Sequence, residues 1–447
     1  MSKQVIGKLT ALKQLKAAYL QQMFPQDGES VPRVRFGGFS GDWEQRKLSE
    51  IGSTYAGLSG KTKEDFGKGD ARFITYMNVF ANPLASLEEL GEVEIDDKQN
   101  TVNYGDVLFT TSSETPEEVG MSSVWLHSME NVYLNSFCFG FRPEIKIDPY
   151  YSAFMLRSPA VRTKIQFLAQ GISRYNISKT KMLEIEVSVP SIPEQTAIGS
   201  FFRTLDELIA LHQRKLDALK NLKKTYLQRM FVATKYSEKT LQNTEISIVT
   251  GANREPQNVP ELRFDGFAEP WTQRKLGEVV FSLRSGLSRM LSNEDIGLPV
   301  VRANNIVDGK FDMENDVKYW YIDDPQGAQT SNFLVCKDDI LINFINSESR
   351  MGTATIVTEN PSRNTIYTTN ILNLRTNEYA SPYFIFTMTF SKKYQDYISS
   401  ITKPAVSQAS FTTVDFKNYI FGCPSVAEQT VIGSFFRNLD ELIKLYS

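Results

Sequence analysis

The segment PSIPEQTAIGSFFRTLDELIAL at residues 190–211 returns as PSVAEQTVIGSFFRNLDELIKL at 424–445, identical at 17 of 22 positions. An internal repeat of this kind constrains the architecture more than any local motif. Two further blocks recur. KLTALKQLKAAYLQQMF (8–24) matches KLDALKNLKKTYLQRMF (215–231) at 12 of 17 positions, and VPRVRFGGFSGDWEQRKL (31–48) matches VPELRFDGFAEPWTQRKL (259–276) at 11 of 18. Between the blocks the halves diverge. GISRYNISKTKM at 171–182 stands opposite AVSQASFTTVDF at 405–416, where only Ser173 and Ser407 coincide. The chain is a duplicated frame carrying two dissimilar inserts.

The frame reads as helix. From Ile198, apolar residues recur at Phe201, Leu205, Leu208, Leu219, Leu222 and Tyr226, a coiled-coil-like seam broken at His212 and Lys215. Pro193 and Glu194 suit a first turn, where a missing N–H costs nothing and negative charge meets the helix dipole. Running to about Phe231, this helix would be roughly 55 Å long. Superposing the repeats puts both Leu445 and Gln4 opposite Leu211. Residues 428–446 and about 5–24 are therefore expected to be two parts of one second helix, with the repeat cyclically permuted and the termini close in space. Two separate short helices are the alternative. Two seamed helices related by a pseudo-twofold axis would pair antiparallel.

Each insert carries strand signals. RFITYMNVFAN (72–82) faces PVVRANNIVDG (299–309), and TVNYGDVLFTTSS (101–113) faces FLVCKDDILINFIN (333–346). A Ser/Glu-rich loop and a glycine follow each, SETPEEVG and SESRMG, and a shorter helix comes later near 149–167 and 381–397. The expected fold is α+β: two α+β domains joined by two long antiparallel coiled-coil-like helices, pseudo-twofold and cyclically permuted. The expected boundaries are 1–24 for the second part of the distal helix, 25–190 for the first domain and 191–231 for the central helix. A linker at 232–258, the second domain at 259–423 and the first part of the distal helix at 424–447 follow.

Composition narrows the function. Hydrophobic content of 41% and charged content of 23% are those of a globular protein. The absence of an apolar run of membrane-spanning length, and an N-terminus with lysines threaded through its leucines, lead to the expectation of a cytoplasmic protein. Cys138, Cys336 and Cys423 lie far apart, and only His127 and His212 accompany them, so no Cys/His metal site is expected. GLSGKT (57–62) has Tyr55 where a phosphate loop needs glycine. DPYY (148–151) lacks the second proline of the Asp-Pro-Pro-Tyr motif and stands at a helix start, where Asp-Pro is ordinary capping chemistry. Glu94, Asp96, Asp97, Glu184 and Glu186 have no spacing that would define a metal cluster. No catalytic constellation emerges, and the chain reads as a non-enzyme.

The net charge of −3 argues against indiscriminate nucleic-acid binding, but charge is unevenly distributed. Residues 161–182 contain Arg162, Lys164, Arg174, Lys179 and Lys181 and no acid.

The EQ-x-x-IGSFF-x-x-LDELI helices, the W-x-QRKL openings and the strand–Asp–strand runs occur in one joint order. In that order they resemble the DNA specificity subunit of Type I restriction–modification systems, over nearly the whole chain. The resemblance implies two target recognition domains, each reading one half of a split double-stranded DNA site. It implies that the helices set the spacer and dock two adenine methyltransferase subunits, which restriction subunits join. S-adenosylmethionine, ATP and Mg would belong to those partners, and this chain would hold no cofactor. Two unlike inserts imply an asymmetric target. A coiled-coil protein-binding scaffold without sequence-specific DNA readout is the alternative.

Candidate DNA contacts in the first insert are Ser173, Arg174, Tyr175, Asn176, Lys179 and Lys181, whose guanidinium, phenol, amide and ammonium groups suit base edges or phosphates. Lys403, Ser407, Gln408 and Ser410 hold the corresponding place in the second, where Gln408 has the right chemistry for adenine. Thr110, Thr111, Ser112 and Ser113, and likewise Asn343, Asn346, Ser347 and Arg350, follow the central strand of each insert. Thr75 faces Arg302 across the repeat, whereas Asn78 and Asn305 match and look like frame. Phe201, Phe202 and Leu205 with Phe435, Phe436 and Leu439 are candidates for a partner surface, with core packing as the plain reading.

Overall fold

The computed structural model describes residues 7–231, 259–307, 309–405 and 408–447, so the linker expected at 232–258, the first six residues and Ser407 lie outside the described residues. The chain forms two units, Met1–Arg214 with Tyr446–Ser447, and Lys215–Leu445. Each is α+β.

In the first unit, a four-stranded antiparallel sheet runs in the order Gly52–Ala56, Cys138–Pro143, Val107–Thr110, Ser122–Val124. A three-stranded sheet places Phe66–Ile74 between Leu90–Val93, antiparallel, and Val132–Leu134, parallel. The run VLFT is apolar without alternation because its strand is covered on both sides. Val107 and Phe109 enter one core cluster, and Leu108 enters another with Trp125 and Leu134. Asp106 precedes this strand, and the Arg142 guanidinium holds both its oxygens at 2.9 and 2.7 Å.

The second unit repeats the plan. Its four-stranded sheet has the order Val280–Ser285, Ile371–Thr376, Ile340–Asn343, Ala354–Ile356. Ile340 and Ile342 join one cluster, and Leu341 joins another. The Asp339 carboxylate is held by Arg375 at 2.7 and 2.9 Å, as Asp106 is by Arg142. The turn before the central strand is thus locked by the same bidentate ion pair in both inserts.

The helix Ile192–Phe231 is continuous for 40 residues. Its buried seam comprises Ile198, Phe202, Leu205, Leu216, Leu227 and Met230. In the first unit its early turns run antiparallel to Lys8–Gln22. Lys16 pairs with Asp206 at 2.5 Å, the Tyr19 and Phe201 rings meet at 5.1 Å, and Phe24 stacks on Phe202 at 5.8 Å. In the second unit its late turns run antiparallel to Val426–Tyr446. There Lys223 pairs with Asp440 at 2.5 Å, Tyr226 meets Phe435 at 4.9 Å, and Phe231 meets Phe436 at 6.1 Å. Each contact in one unit is the repeat-image of a contact in the other.

Both helix starts are fixed by a buried acid. Glu194 receives Arg35 at 2.6 and 2.8 Å, and Glu428 receives Arg263 at 2.7 Å through each oxygen. The next residue ties the helix to its insert. The Gln195 amide oxygen accepts from Asp148 N–H, and that of Gln429 accepts from Ser381 N–H, both at 2.9 Å. Asp148 itself caps Pro149–Met155 by accepting from Tyr151 N–H at 3.0 Å, so DPYY is capping chemistry.

The last two residues belong to the first unit. The Ser447 carbonyl accepts from both the N–H and the hydroxyl of Thr10, at 3.3 and 2.8 Å. The Tyr446 ring lies 4.9 Å below the Lys8 ammonium and 5.5 Å from the His212 ring. His212 is half-buried, its Nδ1 bonded to the Leu208 carbonyl at 2.8 Å. Among the described residues, no helix is long and apolar enough to cross a membrane.

Candidate nucleic-acid interface

Two separate runs of candidate residues in the first insert form one small ribbon. Ser112–Ser113 pairs antiparallel with Tyr175–Asn176, Tyr175 opposite Ser113 and Asn176 opposite Ser112. The central strand delivers the first arm. Thr111 follows it directly, donating its N–H to the Phe137 carbonyl at 2.9 Å and accepting from Ile177 N–H at 3.0 Å. The Tyr76 hydroxyl donates to the Ser112 carbonyl at 2.6 Å and pins the arm from outside. The second arm is closed by Gln170 and Asn176, which exchange backbone hydrogen bonds at 3.0 and 2.8 Å across a tip formed by residues 171–175. Gly171 has φ +143°, and a Cβ there would lie 2.0 Å from the Arg174 carbonyl oxygen, so the tip closes only with glycine.

The second insert builds the same object. Ile345–Asn346 pairs antiparallel with Ala409–Ser410. Lys403 and Ser410 exchange backbone bonds at 2.8 and 3.1 Å. Asn370 Nδ2 donates to the Ile345 carbonyl at 3.3 Å and to Gln408 Oε1 at 3.4 Å, lacing the two arms together. Two two-residue strands are too short for a periodic signal, so sequence alone did not pair these runs.

The ribbons present different chemistry. On the first, Ser173, Arg174, Asn176 and Lys181 are exposed, and Lys179 and Tyr175 are half-buried. The Arg174 guanidinium lies 5.8 Å from the Phe137 ring, and the Lys179 ammonium lies 5.8 Å from the Phe139 ring. On the second, Ser347, Arg350, Lys403 and Gln408 are exposed, and Asn346 and Ser410 are half-buried. Asn346 Nδ2 and the Oδ1 of buried Asn343 are enclosed without a hydrogen-bond partner among the described residues.

Other candidates serve the fold. Thr110 is fully buried, its hydroxyl accepting from Met121 N–H at 3.0 Å, and Asn343 donates to Thr353 Oγ1 at 2.9 Å from an equally buried place. Ser112 and Ser113 are buried too, so their hydroxyls are not offered outward. Thr75 caps Tyr76–Ala81 and donates to the Glu89 carbonyl at 3.2 Å. Arg302 at the matching place binds the carbonyl and carboxylate of Asp316. Asn78 and Asn305 are buried and hydrogen-bonded to their own loops. Arg162 is not a free cation. It donates to the carbonyls of Glu117, Val119 and Gly120 at 2.7–2.8 Å, and burial pushes its guanidinium down to about 10.

Residues 40–221 and 268–446 match the family model described as the Type I restriction modification DNA specificity domain. The chain belongs to that family. A protein assigned as the type I restriction enzyme MjaX specificity subunit of Methanocaldococcus jannaschii is 27% identical over 188 residues, which is 42% of this chain and 43% of that one. The type I restriction enzyme EcoKI specificity subunit of Escherichia coli K12 is 22% identical over 332 residues, 73% of this chain and 66% of that one. The chain therefore spans less than half of the first relative's length and about two thirds of the second's. The crystal structure of a type I restriction–modification S subunit from M. genitalium shares the fold, with a TM-score of 0.53 at 17% identity over 91% of each chain.

In this member of the specificity-domain family, the aromatic stripe picked as a partner surface is interior. Phe202 and Phe436 are fully buried, Leu205 and Leu439 nearly so, and Phe201 and Phe435 pack against the cores as half-buried rings. The helices expose leucines instead: Leu15, Leu208 and Leu211 in the first unit and their repeat-images Leu222, Leu442 and Leu445 in the second. The spacing read from the sequence put Leu208 and Leu222 in the seam, whereas packing leaves them at its rim and buries Leu216 and Leu227 instead. Among the described residues, no group of three or more His, Cys, Asp or Glu side chains is placed to hold a metal ion.

Proposed function

We propose that this chain is the non-catalytic DNA-reading subunit of a type I restriction–modification assembly, recognising a split and asymmetric double-stranded site. One observation carries the reading. The same ribbon, grown from the same strand of the same sheet, recurs in both inserts with unlike side chains on it. A shared scaffold with exchanged surface chemistry is what two readers of two different half-sites require.

On this reading the domains span residues 25–190 and 259–423. Ser173, Arg174, Asn176, Lys179 and Lys181 contact one half-site, and Ser347, Arg350, Lys403 and Gln408 contact the other. Two methyltransferase subunits dock on the helices, where the exposed leucines offer apolar surface, and restriction subunits complete the assembly. S-adenosylmethionine, ATP and Mg act on those partners. A chain of net charge −3 leaves much of the phosphate clamp to them.

The test is a map of methylated adenines in a host lacking this methylation, with the cognate methyltransferase subunit expressed alone or with this chain. The expected result is a split motif with a fixed unspecified spacer, seen only when this chain is present. A stable complex that writes no motif would replace this reading with a protein-binding scaffold.

A further inference from the structure

The tip of the first ribbon carries a side chain that base-edge hydrogen bonding does not use. Ile172 is 96% exposed, although a branched aliphatic side chain gains nothing from water. A single exposed apolar residue is ordinary, but this one sits on a fixed support. Its tip is closed by the Gln170–Asn176 pair and by the glycine-only turn at Gly171. Beside it Phe137 is 56% exposed, with Arg174 drawn over its ring. The surrounding stretch 161–182 has no acid, and with Arg162 drawn inward its outward cations are the exposed Arg174 and Lys181, with half-buried Lys179 beside them. An apolar prong on a cationic support fits a target that is anionic outside and apolar within, and stacked base pairs behind a phosphate backbone have that profile.

We propose that Ile172 is a wedge that enters the base stack of the half-site bound by the first ribbon, parting one base step while Arg174 and Lys181 hold the flanking phosphates. The inference rests on the DNA-reading function above and adds a deformation to it. A wedge parts adjacent base pairs and kinks the duplex, so this half-site selects for steps that unstack easily at a position making no hydrogen bond to the protein.

The experiment uses the complex of this chain with its methyltransferase subunit on duplexes carrying the mapped motif. 2-Aminopurine replaces a base in one half-site or the other, and its fluorescence rises on unstacking. With unaltered protein, fluorescence should rise at the first half-site. Ile172→Ser should abolish the rise and weaken binding about tenfold or more, from the lost burial of one aliphatic side chain. Ile172→Leu should retain both. Specific binding without the rise, or a rise that survives Ile172→Ser, would overturn the wedge while leaving the DNA reading intact. Failure of the complex to bind its motif at all would remove both. Retention of vesicles of anionic phospholipid that depends on Ile172, with DNA binding unchanged, would assign the tip to a membrane surface instead.

Discussion

Arg162 shows how one residue type carries opposite roles within one loop. In the sequence it stands among Lys164, Arg174, Lys179 and Lys181 as part of a basic run, with nothing local to separate it from them. In the fold it is drawn inward, where its planar fork satisfies three carbonyls of the loop that follows the ribbon's first arm. The second insert holds its corresponding loop differently, through the buried Tyr394 hydroxyl, which donates to the Gly352 carbonyl at 3.2 Å. Losing Arg162 leaves the carbonyls of the buried Val119 and Gly120 unmet, and frees that of the exposed Glu117. Arg162→Ala should therefore destabilise the first unit by about 2–4 kcal/mol, and Arg162→Lys should restore less than half, because an ammonium cannot reproduce the fork. Tyr394→Phe, removing one neutral donor, should cost the second unit only about 1 kcal/mol. Urea unfolding of each variant, followed by a probe in the affected unit, checks the ranking. Equal losses in the two units would contradict it.

At the level of elements, the identical IGSFF stretches meet unequal surroundings. A Cβ on Gly199 would lie 2.8 Å from Tyr150 Cβ and from Tyr151 N, whereas a Cβ on Gly433 would lie 3.3 Å from its nearest neighbours, Phe384 N and Tyr383 Cβ. Alanine is favoured over glycine in a helix by about 1 kcal/mol. Gly433→Ala should thus be close to neutral, since slight repacking offsets that gain. Gly199→Ala forces the helix Ile192–Phe231 away from Pro149–Met155 and should lower the melting temperature by several degrees, for a net loss of about 1–2 kcal/mol. Paired thermal melts decide it, and a gain from Gly199→Ala would refute the close packing. The helices, their pairing partners and the Asp148 cap were legible in the sequence, because 3.6-residue periodicity and capping chemistry are local signals. The ribbons were not. Ser112–Ser113 and Tyr175–Asn176 are brought together by the central strand and by Gly171, and no pattern within either dipeptide marks them as strands. Burial was equally hidden, which is why Thr110 and Phe202 looked available.

For the whole molecule, matched interior contacts around unmatched surfaces predict modular exchange. Replacing residues 54–184 with the corresponding insert of a relative should change one half of the methylated motif and preserve the other half. The changed and preserved halves are read directly from methylated-adenine maps. Changes in both halves would show that the inserts do not read independently. The repeat made this division legible from the sequence, since identity concentrates in the helical frame and vanishes in the inserts. Which residues of each insert face outward depended on packing between segments far apart in the chain.

The division of the two units along the chain also bears on the order of events during synthesis. All of the first unit except Tyr446 and Ser447 lies in residues 1–214, so its sheets and its helix pair can assemble while the ribosome is still at work. The late turns of Ile192–Phe231 are less fortunate. Tyr226, Leu227, Met230 and Phe231 emerge well before their partners in Val426–Tyr446. At ordinary elongation speeds that leaves an uncovered apolar seam for roughly 10–50 seconds per molecule. The nascent chain therefore passes through a half-covered helix, and raising chaperone levels during expression should raise its soluble yield.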